Sequence, residues 1–192
     1  MHHRTALFST LLLGLAFLLC SPVQAAAAVL ANGSYCIKME GSQLQLAPNG
    51  YRQHARVVLA PASPHQVWKF THLGNDVYRI SYKNLELDSQ ESKIYNGVPI
   101  IIWPWHGAGN QRWIVRRAGS AYTLTSVHTK LAVDLKGNKR QTGTVFQGYQ
   151  KNGADSQRFD IVPCGSNAAP QKEPPVQEEE KKEEEWSTFH SK

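Results

Sequence analysis

The chain has 192 residues, 41% of them hydrophobic and 9% aromatic, with 21 Lys+Arg against 15 Asp+Glu. That apolar content suffices for one core and argues against two ordinary domains. The formal charge of +6 hints at acidic partners, but it averages over segments of unlike character.

Residues 1–25 have the three-part layout of a secretory signal peptide: a short basic start at Arg4, an apolar stretch from Leu7 to Leu19, and the small-residue site Val23-Gln24-Ala25. The 13-residue apolar stretch is short of the roughly 20 residues that span a bilayer, so secretion with cleavage near Ala25 or Ala26 is expected, without stable membrane insertion. A bacterial lipoprotein attached through Cys20 is disfavoured, because Leu19 is bulky where such sites take a small residue. Cleavage leaves Cys36 and Cys164, which an oxidising compartment allows to pair. Such a bridge would close 128 residues and, in the loop-entropy model, restrict the unfolded chain by about 4–5 kcal/mol. It forms only if the two ends of the body meet; otherwise these are two unrelated buried thiols.

The body, residues 26–164, repeats itself. Gln66-Val67-Trp68, Gln111-Arg112-Trp113 and Gln157-Arg158-Phe159 recur 45 and 46 residues apart. Upstream of them lie Tyr35-Cys36-Ile37, Tyr78-Arg79-Ile80 and Tyr122-Thr123-Leu124. Between come Leu44-Gln45-Leu46, Leu85-Glu86-Leu87 and Leu131-Ala132-Val133. Each marker alternates apolar and polar residues, as a half-buried strand does, and Gly, Asn, Ser and Pro turns bound them. No stretch of the body keeps a helical period for three turns. An all-β domain follows, in units of about 31–73, 74–118 and 119–163. Residues 165–192, with seven Glu, four Lys and few apolar residues, read as a disordered acidic tail. The body carries +8 and the tail −3, so a basic domain is tethered to an acidic segment able to screen it.

Three units of this length, each closing on a Gln-x-Trp-like signature, resemble the R-type (ricin B-like) lectins, and the second and third units are closest in wording to the fungal, mushroom-type members. The resemblance covers Ala31 to Pro163 and implies a β-trefoil: twelve strands, six in a barrel and six in three capping hairpins. It also implies that the first and last strands adjoin, which would bring Cys36 to Cys164. The signature residues Gln66, Trp68, Gln111, Trp113, Gln157 and Phe159 are credited to folding, since each unit must bury a large ring and satisfy the turn before it.

A sugar presents hydroxyls and a flat C–H face, so a site needs carboxylate and amide groups beside an aromatic plate. In the family the Asp follows the Leu-x-Leu-like strand, the aromatic lies on the next strand, and an Asn precedes Gln-x-Trp. The second unit matches with Asp88, Trp103 and Asn110, and Trp105 and His106 could widen the platform; Ile101 departs from the Gln that many members place there. The third unit is a partial, weaker match. It has Asp134, Gln147 and Tyr149, but Ser156 replaces the Asn and Gly148 leaves the strand less supported. The first unit has Ala47, Val57-Val58-Leu59 and His65 instead, and is expected to be structural only.

The histidines form no pair at metal-ligand spacing, and no phosphate loop or nucleophile elbow is present. Asp88 and Asp134 are equivalents in different units, which a trefoil holds far apart, against the close carboxylate pair of a glycosidase. Asn32-Gly33-Ser34 is an N-glycosylation acceptor sequence, relevant in a eukaryotic source. The expected protein is therefore a secreted, non-catalytic lectin for galactose or N-acetylgalactosamine ends of glycans, without a cofactor, metal or nucleic-acid partner. Two sites per chain, or a homodimer, would raise its avidity for cell-surface glycoproteins. The rivals are a trefoil that binds proteins, as a protease inhibitor or toxin delivery subunit does, and a basic surface that binds anionic glycans.

Overall fold

Strands that send alternate side chains inward close into a barrel when the first can pair with the last, and this chain does so. A computed structural model describes residues 28–164; the expected signal peptide and acidic tail lie outside them. Twelve strands follow one another: β1 (Gly33–Met39), β2 (Gln45–Pro48), β3 (Val57–Ala60), β4 (Trp68–Gly74), β5 (Val77–Tyr82), β6 (Leu85–Ser89), β7 (Val98–Trp103), β8 (Arg112–Ala118), β9 (Ala121–Ser126), β10 (Ala132–Leu135), β11 (Phe146–Tyr149) and β12 (Phe159–Pro163). Antiparallel pairing runs β1–β4–β5–β8–β9–β12 and returns to β1, a closed ring of six strands. The remaining six pair as three hairpins, β2–β3, β6–β7 and β10–β11. This is a β-trefoil, with units β1–β4, β5–β8 and β9–β12.

The period of two fills the barrel. Ile37 and Met39, Trp68 and Phe70, Tyr78 and Ile80, Trp113 and Val115, Tyr122 and Leu124, and Phe159 and Ile161 come from the six barrel strands and are all buried. A buried indole must place its N–H. Trp68 donates to the Leu46 carbonyl at 3.1 Å and Trp113 to the Leu87 carbonyl at 2.9 Å, so each ring ties its own unit's hairpin to the barrel.

One expectation fails in the hairpins. The polar members of the middle markers, Gln45 and Glu86, are buried rather than solvent-facing. The first strand of each hairpin is covered on both sides, and its polar groups find partners inside the protein. Glu86 accepts from Arg79 at 2.5 Å and Ser81 at 2.7 Å, while Gln45 donates to Gln66 and the Ser63 carbonyl.

Pairing of β1 with β12 brings the ends of the domain together, and Cys36 and Cys164 form a disulfide with Cα atoms 5.2 Å apart. Asn32 is exposed, its side-chain oxygen accepting the His72 N–H. Because the bridge closes 128 residues, changing both cysteines to serine should lower unfolding stability by about 2–5 kcal/mol, read from denaturant midpoints. An unchanged midpoint would show that β1–β12 pairing alone holds the ends.

Candidate functional site

The β6–β7 register assembles one face. Asp88 stands opposite Ile101, and Glu86 opposite Trp103, so these four side chains leave the hairpin on the same side. Asn110 arrives from elsewhere in the unit, on a single 3-10 turn, Gly109–Gln111, that leads into β8. Its amide donates to Asp88 Oδ2 at 3.0 Å and to the Ser89 carbonyl at 3.2 Å. The turn sits tightly, since a Cβ on Gly109 would lie 2.9 Å from that of His128.

Gln111 then fixes the preceding loop, donating to the Pro104 carbonyl and accepting the His106 N–H, both at 2.9 Å. Gln157 repeats this with the Gln150 carbonyl and the Asn152 N–H, both at 3.0 Å. The loop so held places His106 Nε2 3.6 Å from Asp88 Oδ2. Asp88, Ile101, Trp103, His106 and Asn110 line a pocket of about 330 Å³, together with Glu91 and Ser92. Trp105 lies outside that lining and stacks beneath the Arg79 guanidinium, 4.6 Å from ring centroid to carbon.

Hydrogen-bonding capacity is left unused in the wall behind the pocket. Asp88 is 2% exposed, and burial pushes its carboxyl up to about 6, against the opposing hydrogen bonds from Gln111, Asn110 and His106. Asn110 Oδ1 and Ser89 Oγ are buried with no partner. Beside these groups Trp103 stands half-buried at the strand end. A concave site with a carboxylate, the amide bonded to it and an indole is thus built on the second unit.

The third unit places Asp134 opposite Gln147, the equivalent of Ile101. Here the carboxylate is satisfied from within: Gln147 donates to Oδ1 at 3.0 Å, and Ser156 and Gln157 donate to Oδ2 at 2.8 and 3.2 Å. Tyr149 is exposed at the end of β11. Gly148 does not leave the strand loose, as expected from its lack of a side chain. A Cβ there would come within 2.6 Å of Val98 Cγ1, so the missing atom permits close packing of β11 on β7. In the first unit Ala47 faces Val58, Ala60 stands where the second unit has Trp103, and His65 is exposed.

Glu91 and Ser92 went unrecognised in the sequence. Aligning the units sets them against Gly137-Asn138, a difference that gives no sign of a pocket until the hairpin is folded.

A trefoil with a polar, aromatic-edged pocket on one hairpin is the architecture of ricin-type lectins. The model of the ricin-type β-trefoil lectin domain-like family matches residues 64–149 and 109–169, and the chain belongs to that family. No curated protein matches it. Among solved structures it is similar to the designed three-fold symmetric protein ThreeFoil (22% identity, 68% of this chain and 99% of that one, TM-score 0.65). It is also similar to the Polyporus squamosus lectin, solved with the epitope Neu5Acα2-6Galβ1-4GlcNAc, of which it spans half (22% identity, 70% of this chain and 50% of that one, TM-score 0.61). A third likeness is to the Rhizoctonia solani agglutinin (15% identity, 72% of this chain and 99% of that one, TM-score 0.61). At these identities the likenesses establish the fold.

The raised carboxyl of Asp88 has a signed consequence. The native state holds this proton more tightly than the unfolded chain, so burying the group costs most above pH 6 and the cost is relieved as pH falls toward 4. Relative to Asp88→Asn, the wild type should gain on the order of 2 kcal/mol between pH 7 and pH 4, read from urea midpoints at both values. A constant difference would show that Asp88 is not desolvated.

Proposed function

We propose that this protein is a secreted, non-catalytic lectin that binds galactose or N-acetylgalactosamine ends of glycans at the second-unit pocket. The observation that carries this reading is the buried Asp88, bonded by the Asn110 amide, on a pocket that both residues line and Trp103 edges. Ionised Asp88 accepts from sugar hydroxyls, Asn110 holds that carboxylate and adds its amide to the site, and the indole covers the apolar face of the ring. His106 adds a polar edge to the same pocket. Trp105 acts behind the site by holding Arg79, the partner of buried Glu86.

A second, weaker site is assigned to Asp134, Gln147, Tyr149 and Ser156. Its carboxylate already accepts three internal hydrogen bonds, so a sugar there must share or displace them. Two unequal sites on one chain, or a homodimer, would favour clustered glycans on cell-surface glycoproteins.

One observation favours a protein partner instead. Ile94 and Tyr95, on the loop between β6 and β7, are 73% and 53% exposed. Such side chains at a loop tip suit a protein contact better than a sugar.

A glycan array tests the two readings. Asp88→Ala and Trp103→Ala should each weaken binding to galactose-type glycans at least tenfold, on the order of the loss of one charge-assisted hydrogen bond or one stacking face. Asp134→Ala should leave most binding to isolated glycans in place. Undiminished binding in both second-unit variants would remove the proposed site, and a folded wild type that binds no glycan would favour the protein partner. Affinity should also fall as pH drops through about 6, where Asp88 gains its proton and loses an acceptor; isothermal titration at pH 7.5 and 5 reads this directly.

A further inference from the structure

Each hairpin leans on a strand of the following unit through the same backbone bond. The N–H of His54 donates to the Ile102 carbonyl on β7 at 3.1 Å, that of Gly97 to the Gly148 carbonyl on β11 at 2.9 Å, and that of Gly143 to the Leu59 carbonyl on β3 at 2.8 Å. All three donors are left-handed, with φ of 65°, 97° and 87°. Two are glycines, which take that conformation freely; the third bears an imidazole, which disfavours it.

The acceptors are equivalent too. Each carbonyl belongs to the residue just before the position of the aromatic plate, occupied by Trp103, Tyr149 and Ala60. His54 is therefore delivered by the first unit to the strand that carries Trp103. Its ring meets that indole with centroids 4.1 Å apart and planes tilted by 58°. The remaining rim follows the pattern at Glu91 alone, since Ser92 has Asn138 as its counterpart. Glu91 and Ser92 both have φ of 55°, where the third unit has Gly137 and Asn138 at 64° and 52°. The Glu91 carboxyl is held below its usual range chiefly by Lys93, then Gln90, with a lesser contribution from His54, so the imidazole lies within electrostatic reach of the pocket rim. A strained, side-chain-bearing residue kept where its equivalents are glycine points to a use for the side chain.

We infer that His54 is a positioning residue of the second-unit site, its ring clamping the Trp103 indole so that the plate offered to a sugar is already oriented. The inference rests on the lectin reading above and deepens it: the site is shared between two units, and the first unit, which has no carboxylate or plate of its own, serves its neighbour. An indole at a strand end that is free to change rotamer must be ordered when the sugar binds, and the contact with His54 removes that cost beforehand.

The test is titration of galactose and N-acetylgalactosamine into the wild type and the His54→Gly, His54→Phe and Asp88→Ala variants, each with a melting curve. His54→Gly installs the residue found at both equivalent positions, so the melting temperature should stay within about 2 °C of wild type or rise. Its affinity should nevertheless fall about three- to tenfold, the worth of one aromatic contact. His54→Phe, which returns a ring, should recover affinity to within about twofold. Wild-type affinity in His54→Gly, with Asp88→Ala abolishing binding, overturns the role of His54 and leaves the lectin site standing. A lowered melting temperature in His54→Gly, with affinity that His54→Phe does not recover, also overturns it by showing a purely structural role. A wild type that binds neither sugar, or undiminished binding in Asp88→Ala, overturns the site and this inference together.

Discussion

The site depends first on the hydrogen bond from the Trp113 indole to the Leu87 carbonyl. The ring is wholly buried, so its N–H must find an acceptor inside the protein, and the one it finds belongs to the residue before Asp88. Anchoring the hairpin and placing the carboxylate are therefore one event. The first unit makes the same bond from Trp68 to Leu46, but the next residue is Ala47, and the anchor carries no chemistry. In the third unit the ring of Phe159 has no N–H to give. There Ser156 and Gln157 reach from the turn to Asp134, tying hairpin to barrel through the carboxylate itself.

That difference separates the two acidic units. Asp134 accepts hydrogen bonds from within the protein at both oxygens, whereas Asp88 is buried at the expense of its ionisation and is bonded by an amide whose oxygen has no partner. Polar groups left incompletely paired lower stability and raise the reward for a ligand that completes them. The same trade appears in the backbone, since Glu91, Ser92 and His54 hold left-handed conformations around this one pocket.

Much of the barrel was legible because its signal is short-range. Tyr78 and Ile80, or Trp113 and Val115, alternate with polar neighbours at the pitch of a strand, and a threefold recurrence tells strand starts from chance. The hairpins were less legible. Glu86 and Gln45 look like solvent-facing positions, and only the packing of hairpins against their neighbours shows that they are covered. Gly148 looked like a weakness and is a close contact, because Val98, fifty residues earlier, occupies the space of its missing Cβ.

Strand content and the threefold repeat were readable from spacing within one unit, and the family resemblance those repeats carry is what pointed to Asp88, Trp103 and Asn110. Tertiary structure alone decided which of them share a pocket, that Trp105 turns to Arg79, that Asp134 is already satisfied, and that His54 crosses from the first unit to the second. The physical reason is the route of the chain. A trefoil brings two of its hairpin loops against strands some fifty residues further on and the third back to the first unit, and no local period records which side chains meet there.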